Sequence, residues 1–306
     1  MRIPVISDLY ADAPPAVRGV ALMLVTTLVF TAMQVTVRHV AEDMHPFQVA
    51  FFRNVFGFAV LSPLIFSSGF TIFRTTKLRL HAMRAVLQTA GMLLFFTALT
   101  LAPLTEVVAL SFTSPLFATV LAILILREKA GVRRWAALVA GFVGALIILR
   151  PGVAVVGLGP LLVVFSSLVW GGAMIFIKVL GRTDSSLTIT AYMGLFMVPM
   201  SLIPALFVWE WPALDVVPFL LLIGIFGAAG HLALAQAFKE ADTTAVMPFD
   251  FMRLIWASLL GFIVFAEVPD VWTWIGGSVI FGSATYIAFR EARRRQDKPD
   301  GGVLQT

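Results

Sequence analysis

The sequence predicts an all-α membrane protein, ten transmembrane helices arranged as two inverted five-helix repeats. Three observations carry that prediction: an apolar composition, ten separable apolar runs, and basic residues concentrated on one side of the resulting topology. Of 306 residues, 59% are hydrophobic and only 13% are charged. A soluble domain carries about 25% charged and about 45–50% apolar residues. The mean hydropathy of +0.95 is too high for a surface that must face water. A soluble enzyme, a nucleic-acid binder and a disordered regulator are therefore excluded as classes. The net charge is +5, but the basic residues sit in short gaps between apolar runs, so they read as signals of membrane topology rather than as a lipid or nucleic-acid site. Cysteine is absent, which removes disulfides, thiolate metal sites and cysteine nucleophiles; no metal and no cofactor are expected. The first residues do not read as a signal peptide, because Asp8, Asp12 and the pair Pro14-Pro15 interrupt any apolar stretch.

A crossing needs about 20 mainly apolar residues. Such runs lie near 19–38, 46–67, 82–101, 105–126, 132–150, 159–179, 187–208, 216–237, 243–266 and 271–289. Most connections are very short, for example Ala102-Pro103-Leu104, so no separate soluble domain is expected. With the N-terminus placed in the cytoplasm, 18 of the 22 Lys and Arg residues fall on the cytoplasmic side, Arg84 among them. Two, Arg38 and Arg150, fall outside, and Arg53 and Arg253 lie within spans. An error in the span count would scramble this split from that point onward. Both termini are accordingly expected in the cytoplasm.

The chain also repeats itself. Gly19, Leu22, Leu28 and Val29 recur with their spacing intact as Gly159, Leu162, Leu168 and Val169, and Arg38 becomes Lys178. Further on, Gly91, Ala98, Ala102, Thr105, Phe112, Ala118, Glu128 and Trp135 recur, without a gap, as Gly230, Ala237, Ala241, Thr244, Phe251, Ala257, Glu267 and Trp274. A unit of five spans is odd, so the second copy enters the membrane from the opposite side. The expected organisation is a cytoplasmic tail 1–18, a first repeat 19–152, a second repeat 153–289 and a basic cytoplasmic tail 290–306. Two five-helix units with an apolar run closing on Glu (PLFATVLAILILREK and LIWASLLGFIVFAEV) resemble the drug/metabolite transporter superfamily, EamA type. The segment PFDFMRLIWASLLGFIVFAE is similar to a branch that includes S-adenosylmethionine and riboflavin transporters. The family often has Pro where this chain has Leu254; Pro115 fits the first unit, whereas Pro248 stands six residues early.

Charges within a span are costly, about 2.5–3.5 kcal/mol each on insertion scales, and tend to face a cavity or a partner. Asp250 and Arg253 stand three apart in the ninth span, hence on one helix face; they form either a polar patch that meets cargo or a self-neutralising pair. Arg53 lies in the outer half of span two. It either receives an anionic group of a cargo or pairs with Glu106 at the outer end of span four. Gln34, His231, Gln236, Ser111 and Ser114 are further in-span polar groups that contact cargo or bond to neighbouring helices. Trp170 is an aromatic well inside a span, able to stack on a flat cargo. Asp250, deeply placed, is the expected proton-coupling residue, with His231 as the group that titrates near neutral pH. Glu128 and Glu267 end spans four and nine at opposite faces and are expected to anchor the moving helix ends, while Pro115 and Pro248 kink the helices beside them.

The function these residues imply, with the resemblance, is secondary transport of a small polar, zwitterionic or aromatic metabolite by alternating access across a bacterial inner membrane, with a small-molecule substrate as partner, as a monomer or homodimer. The competing reading is an integral membrane enzyme acting on a lipid or small metabolite. Against it, the chain has no Walker-A pattern, no HExxH and no GxSxG.

Overall fold

The computed structural model describes residues 14–67, 73–128, 130–152, 155–241 and 243–296. Arg2, Asp8, Asp12, Lys129 and Lys298, used above for the charge pattern and the N-terminal reading, lie outside them. The described residues form helices α1 (Pro15–Val40), α2 (Pro46–Ser67), α3 (Leu78–Leu101), α4 (Leu104–Ser111), α5 (Ser114–Ile125), α6 (Val132–Leu149), α7 (Leu158–Leu180), α8 (Ser186–Leu206) and α9 (Val217–Glu240). There follow the single turn α10 (Thr243–Val246), a 3-10 turn (Met247–Phe251), α11 (Met252–Phe265) and α12 (Val271–Gln296). Among the described residues, eight helical stretches are long and apolar enough to cross a membrane, with α4 and α5 forming one of them. The remaining long helices, α2 and α12, have 22 and 26 residues.

Proline sets many of the helix starts. It opens or immediately precedes α1, α2, α4, α5 and α9, where its missing N–H costs nothing and its fixed φ suits the first turn. Where lipid offers no hydrogen bonds, hydroxyls are satisfied within their own helix. Thr26, Thr27, Thr31 and Thr36 of α1 each donate to a carbonyl three or four residues back. The outer surface is apolar: Leu124 is 66% exposed, Ile203 60% and Phe262 58%. So much exposed apolar surface is a lipid-facing exterior rather than a water-facing one.

Spans four and nine, expected as single helices, are broken. The fourth breaks at Phe112-Thr113, directly before Ser114-Pro115. The ninth is a turn of α-helix, a 3-10 turn holding Pro248 and Asp250, and then α11. Its break at Phe251-Met252 falls at the repeat counterpart of Phe112-Thr113, although Pro248 stands early. The two break residues, Phe112 and Phe251, stack with ring centroids 6.3 Å apart, and both rings contact Phe281.

The packing repeats in the same register and with the two halves exchanged. A β-carbon on Gly91 of α3 would meet Trp170 of α7 at 2.5 Å, and one on Gly230 of α9 would meet Phe30 of α1 at 2.6 Å. Likewise Gly19 lies against Ala241, and Gly159 against Ala102. Each half therefore lends its first helix to the third long helix of the other, which knits the halves through the main core.

Candidate functional site

Helix α2 carries Arg53 and packs against α8 and α9. The close approach is made by glycine: a β-carbon on Gly224 would run into Phe56 Cβ and stand 2.9 Å from the Gly57 nitrogen. One turn on, a β-carbon on Gly227 would stand 3.1 Å from Arg53 Nε and 3.2 Å from its Nη2. The guanidinium thus lies on bare backbone of α9. Its Nη1 donates to Asn54 Oδ1 at 3.0 Å, and its Nη2 lies 3.3 Å from His231 Nε2. Asn54 in turn donates to Ser201 Oγ of α8 at 3.1 Å. Among the described residues no carboxylate lies within ion-pairing distance of Arg53. The alternative pairing with Glu106 is not made; Glu106 sits instead in the field of Arg150 and Asp270.

Arg53, Asn54 and His231 open onto a cavity whose other walls are apolar: Phe58 and Leu61 of α2, Met193 and Met197 of α8, and Gly227 of α9, with Thr190 the one further polar side chain. From Arg53 to Leu61, and from Thr190 to Met197, the lining covers about 10–12 Å along each helix. The space open to the centre of a water molecule is about 30 Å³, room for about two waters. A metabolite-sized pocket needs about 300 Å³ or more. In this conformation that space is smaller than such a molecule.

Both ends are tied. At one end Gln48 Nε2 donates to the Glu210 carbonyl at 2.8 Å, and Phe51, Phe52 and Trp209 form a ring cluster with centroids 5.3–5.8 Å apart. At the other end the ties are polar. Thr75 and His81 both bond Asp184 Oδ2 at 2.7 Å, and Tyr192 donates to the Phe73 carbonyl at 2.7 Å. Burial opposes ionisation of Asp184, but hydrogen bonds from Thr75, His81 and Thr183 outweigh it and hold the carboxyl below the usual range.

The remaining expected site residues lie elsewhere. Asp250 and Arg253 pair at 2.9 Å, with Arg253 5.1 Å over the Phe112 ring, at the crossing of the two broken helices. Trp170 donates to the Gln88 carbonyl and packs on Gly91 and Phe95, so its indole is committed to helix packing. Gln236 is exposed and bonds Glu240. Ser111 donates to the Val108 carbonyl; Ser114 Oγ and Gln34 Oε1 are buried without a hydrogen-bond partner.

Glu267 receives Arg38 at 2.6 Å and accepts from the Leu104 N–H at 2.9 Å. Glu128 receives Lys178 and, at 3.5 Å, Arg134. The Lys178 hydrogen bond is the main cause that holds the Glu128 carboxyl below its usual range, against its partial burial. Both glutamates follow a residue in the left-handed region, Arg127 and Ala266 with φ of 53° each. In both, the Glu N–H turns back to a carbonyl six residues earlier, on Ala122 and Gly261. That helix ending, uncommon for non-glycine residues, places each carboxylate over the end of the neighbouring half's first helix.

Arg84, counted above on the cytoplasmic side, lies inside α3 and is 6% exposed. Its signal was present in the sequence: His81 and Arg84 stand three apart at the start of an apolar run, hence on one helix face.

A family model described as the EamA-like transporter family matches the chain twice, over residues 17–150 and 157–289. The chain belongs to the EamA-like transporter family. Proteins similar to it include a riboflavin transporter of Vibrio cholerae, 34% identical over 249 residues, 80% of this chain and 84% of that one. A riboflavin transporter of Rhizobium johnstonii is 30% identical over 296 residues, 96% and 98% of the two chains. An S-adenosylmethionine uptake transporter of Rickettsia felis is 28% identical over 280 residues, 92% and 95%. A crystal structure that is 15% identical matches with a TM-score of 0.61 over 91% of this chain and 99% of its own, which shows a shared fold. This EamA protein is thus a multi-pass membrane transporter of a small molecule, and the membrane-enzyme alternative falls.

Proposed function

We propose that the cargo is a flat, uncharged, carbonyl-rich aromatic metabolite of the riboflavin type. The observation that carries this reading is the half-buried Arg53 with no carboxylate partner among the described residues, set beside His231 in an otherwise apolar cavity. A guanidinium has five donors in a planar fork. Only two of its groups are engaged here, with Nε unpartnered. A pyrimidine-dione edge presents the acceptors that fork suits, and Phe58, Met193 and Met197 suit the ring face. S-adenosylmethionine, by contrast, bears a sulfonium and an ammonium against one carboxylate, a net cation that a lone guanidinium repels.

The transport cycle proposed is alternating access between two inverted five-helix halves, 19–152 and 153–289, in ten spans with both termini in the cytoplasm. Support comes from the charge split, the twofold family match and the exchanged packing pairs, Gly91 on Trp170 and Gly230 on Phe30. The polar ties at Asp184 then close the cytoplasmic end, and the Phe51, Phe52 and Trp209 cluster closes the outer end. Opening either end enlarges the cavity to cargo size. Glu267–Arg38 and Glu128–Lys178, at opposite faces, hold the halves together through the exchange. The protein is proposed to act in a bacterial inner membrane, as a monomer or homodimer among membrane lipids.

The test is uptake of labelled riboflavin into proteoliposomes by the wild type and Arg53→Ala. Uptake that Arg53→Ala lowers at least tenfold, with normal insertion, supports the reading. Absence of riboflavin uptake and of riboflavin binding in the wild type sinks it.

A further inference from the structure

The buried charge nearest this cavity that the reading above does not use is Arg84. Its Nη1 donates to the Ile189 carbonyl at 3.1 Å, its Nη2 points at Met193 Sδ at 3.4 Å, and its Nε is buried without a partner. Both contacts are weak neutralisers. Ile189 lies within the helical ladder of α8, and a thioether is a poor acceptor. The nearby carboxylate, Asp184, is taken by Thr75 and His81. Other arginines in the bundle meet acids: Arg18 with Glu240, Arg38 with Glu267, Arg150 with Asp270, Arg253 with Asp250. Among the described residues Arg84, like Arg53, has no carboxylate in ion-pairing distance.

The two guanidinia stand on different helices near one cavity: Arg53 of α2 lines it together with Met193 of α8, and Arg84 of α3 contacts Ile189 and that same Met193. His231 stands 3.3 Å from Arg53 Nη2. Met193 lines the cavity and also covers Arg84, so this one side chain partitions the second guanidinium from the cargo space. Methionine, unbranched with three rotatable bonds, is suited to swing aside. A charge buried among apolar helices without a counter-ion is destabilising, and an electron-rich ligand is the partner the fold itself leaves out.

We propose that Arg84 is a second cargo-recognising residue, reached when Met193 moves, and that it sets the charge specificity of the site. It rests on the cargo site proposed at Arg53. With two guanidinia and no carboxylate among the described residues, the site accepts neutral carbonyl-rich and anionic cargo and rejects net cations. Arg84 stands towards the Thr190 end of the cavity, so cargo held first by Arg53 passes to Arg84 before release at that end.

The test uses the full chain in proteoliposomes, with riboflavin as transported probe and riboflavin 5′-phosphate and S-adenosylmethionine as competitors. In the wild type, the phosphate is expected to compete at least as well as unlabelled riboflavin, and S-adenosylmethionine at least tenfold more weakly. In Arg84→Gln, the KM for riboflavin is expected to rise at least fivefold, and the discrimination against S-adenosylmethionine to shrink at least fivefold; Arg84→Lys keeps the discrimination but not the KM. Equal competition by the cation in the wild type overturns the proposal without any variant. So does an Arg84→Gln protein with reduced thermal stability but unchanged KM and unchanged selectivity, which is the mark of a residue that only ties α3 to α8. Loss of uptake in Arg53→Ala together with unchanged selectivity in Arg84→Gln overturns the role of Arg84 alone; absence of riboflavin binding in the wild type overturns both readings.

Discussion

Arg53 Nη2 lies 3.3 Å from His231 Nε2, joining α2 to α9 across the cavity. A guanidinium is always a donor, so the imidazole nitrogen facing it accepts, and His231 is neutral with its proton on Nδ1. His231→Ala should therefore weaken cargo binding less than Arg53→Ala, by about threefold to tenfold, because it removes the residue that orients the fork rather than the fork. Titration of riboflavin binding to the two purified variants checks the order.

The glycines of α9 should be sensitive in two different ways. Gly224→Ala drives a methyl into Phe56 Cβ and the α2 backbone, so the helices must part; overpacking of this kind costs about 1–3 kcal/mol. A lower thermal midpoint in detergent is the expected result. Gly227→Ala meets only the Arg53 side chain at 3.1 Å, which can move. It should leave the midpoint nearly unchanged and raise KM several-fold.

Exchange of charge tests the ion pair of Glu267 with Arg38. Glu267→Gln leaves Arg38 without its carboxylate and the Leu104 N–H with a weaker acceptor, and is expected to lower transport or stability markedly. Glu267→Arg combined with Arg38→Glu should recover part of the loss. Recovery in the exchanged pair, measured as uptake per inserted protein, separates an ion pair from simple packing.

The polar ties have a pH signature. The carboxyls of Asp184 and Glu128 are both held below their usual range in the folded protein. Their stabilisation is therefore complete above the unfolded values, about 3.9 for Asp and 4.3 for Glu, and is lost as pH falls through the lowered folded values. Wild type should be more stable than Asp184→Asn at pH 7, and the gap should narrow below about pH 4. Thermal midpoints of the two proteins across pH 3–7 give the comparison.

Topology is directly readable because the chain has no cysteine. A single Asp43→Cys, in the exposed turn between α1 and α2, should react with an impermeant maleimide from the outside only. Labelling from the cytoplasmic side alone would contradict the proposed orientation.

Sequence by itself determined the membrane class, the helix content and most helix ends. These are one-dimensional properties: the solvent requires about 20 apolar residues per crossing, and Pro and short polar gaps mark where a helix starts or stops. The repeat was equally legible, since Gly19, Arg38, Glu128 and their counterparts are matched residue by residue, and so was Arg53 as a charge out of place. Tertiary structure alone decided which charges found partners. Asp250 neutralises Arg253 on its own turn, Glu267 reaches back to Arg38, and Arg53 and Arg84 meet no acid among the described residues. It also set Trp170 apart from the Arg53 cavity, because the indole fills the space opposite Gly91, and put Met193 and Thr190 in that cavity's lining. Pairing depends on which helices touch and at what height, and residues as far apart in the chain as Arg53 and His231 come together only when small residues such as Gly224 and Gly227 let α2 and α9 approach.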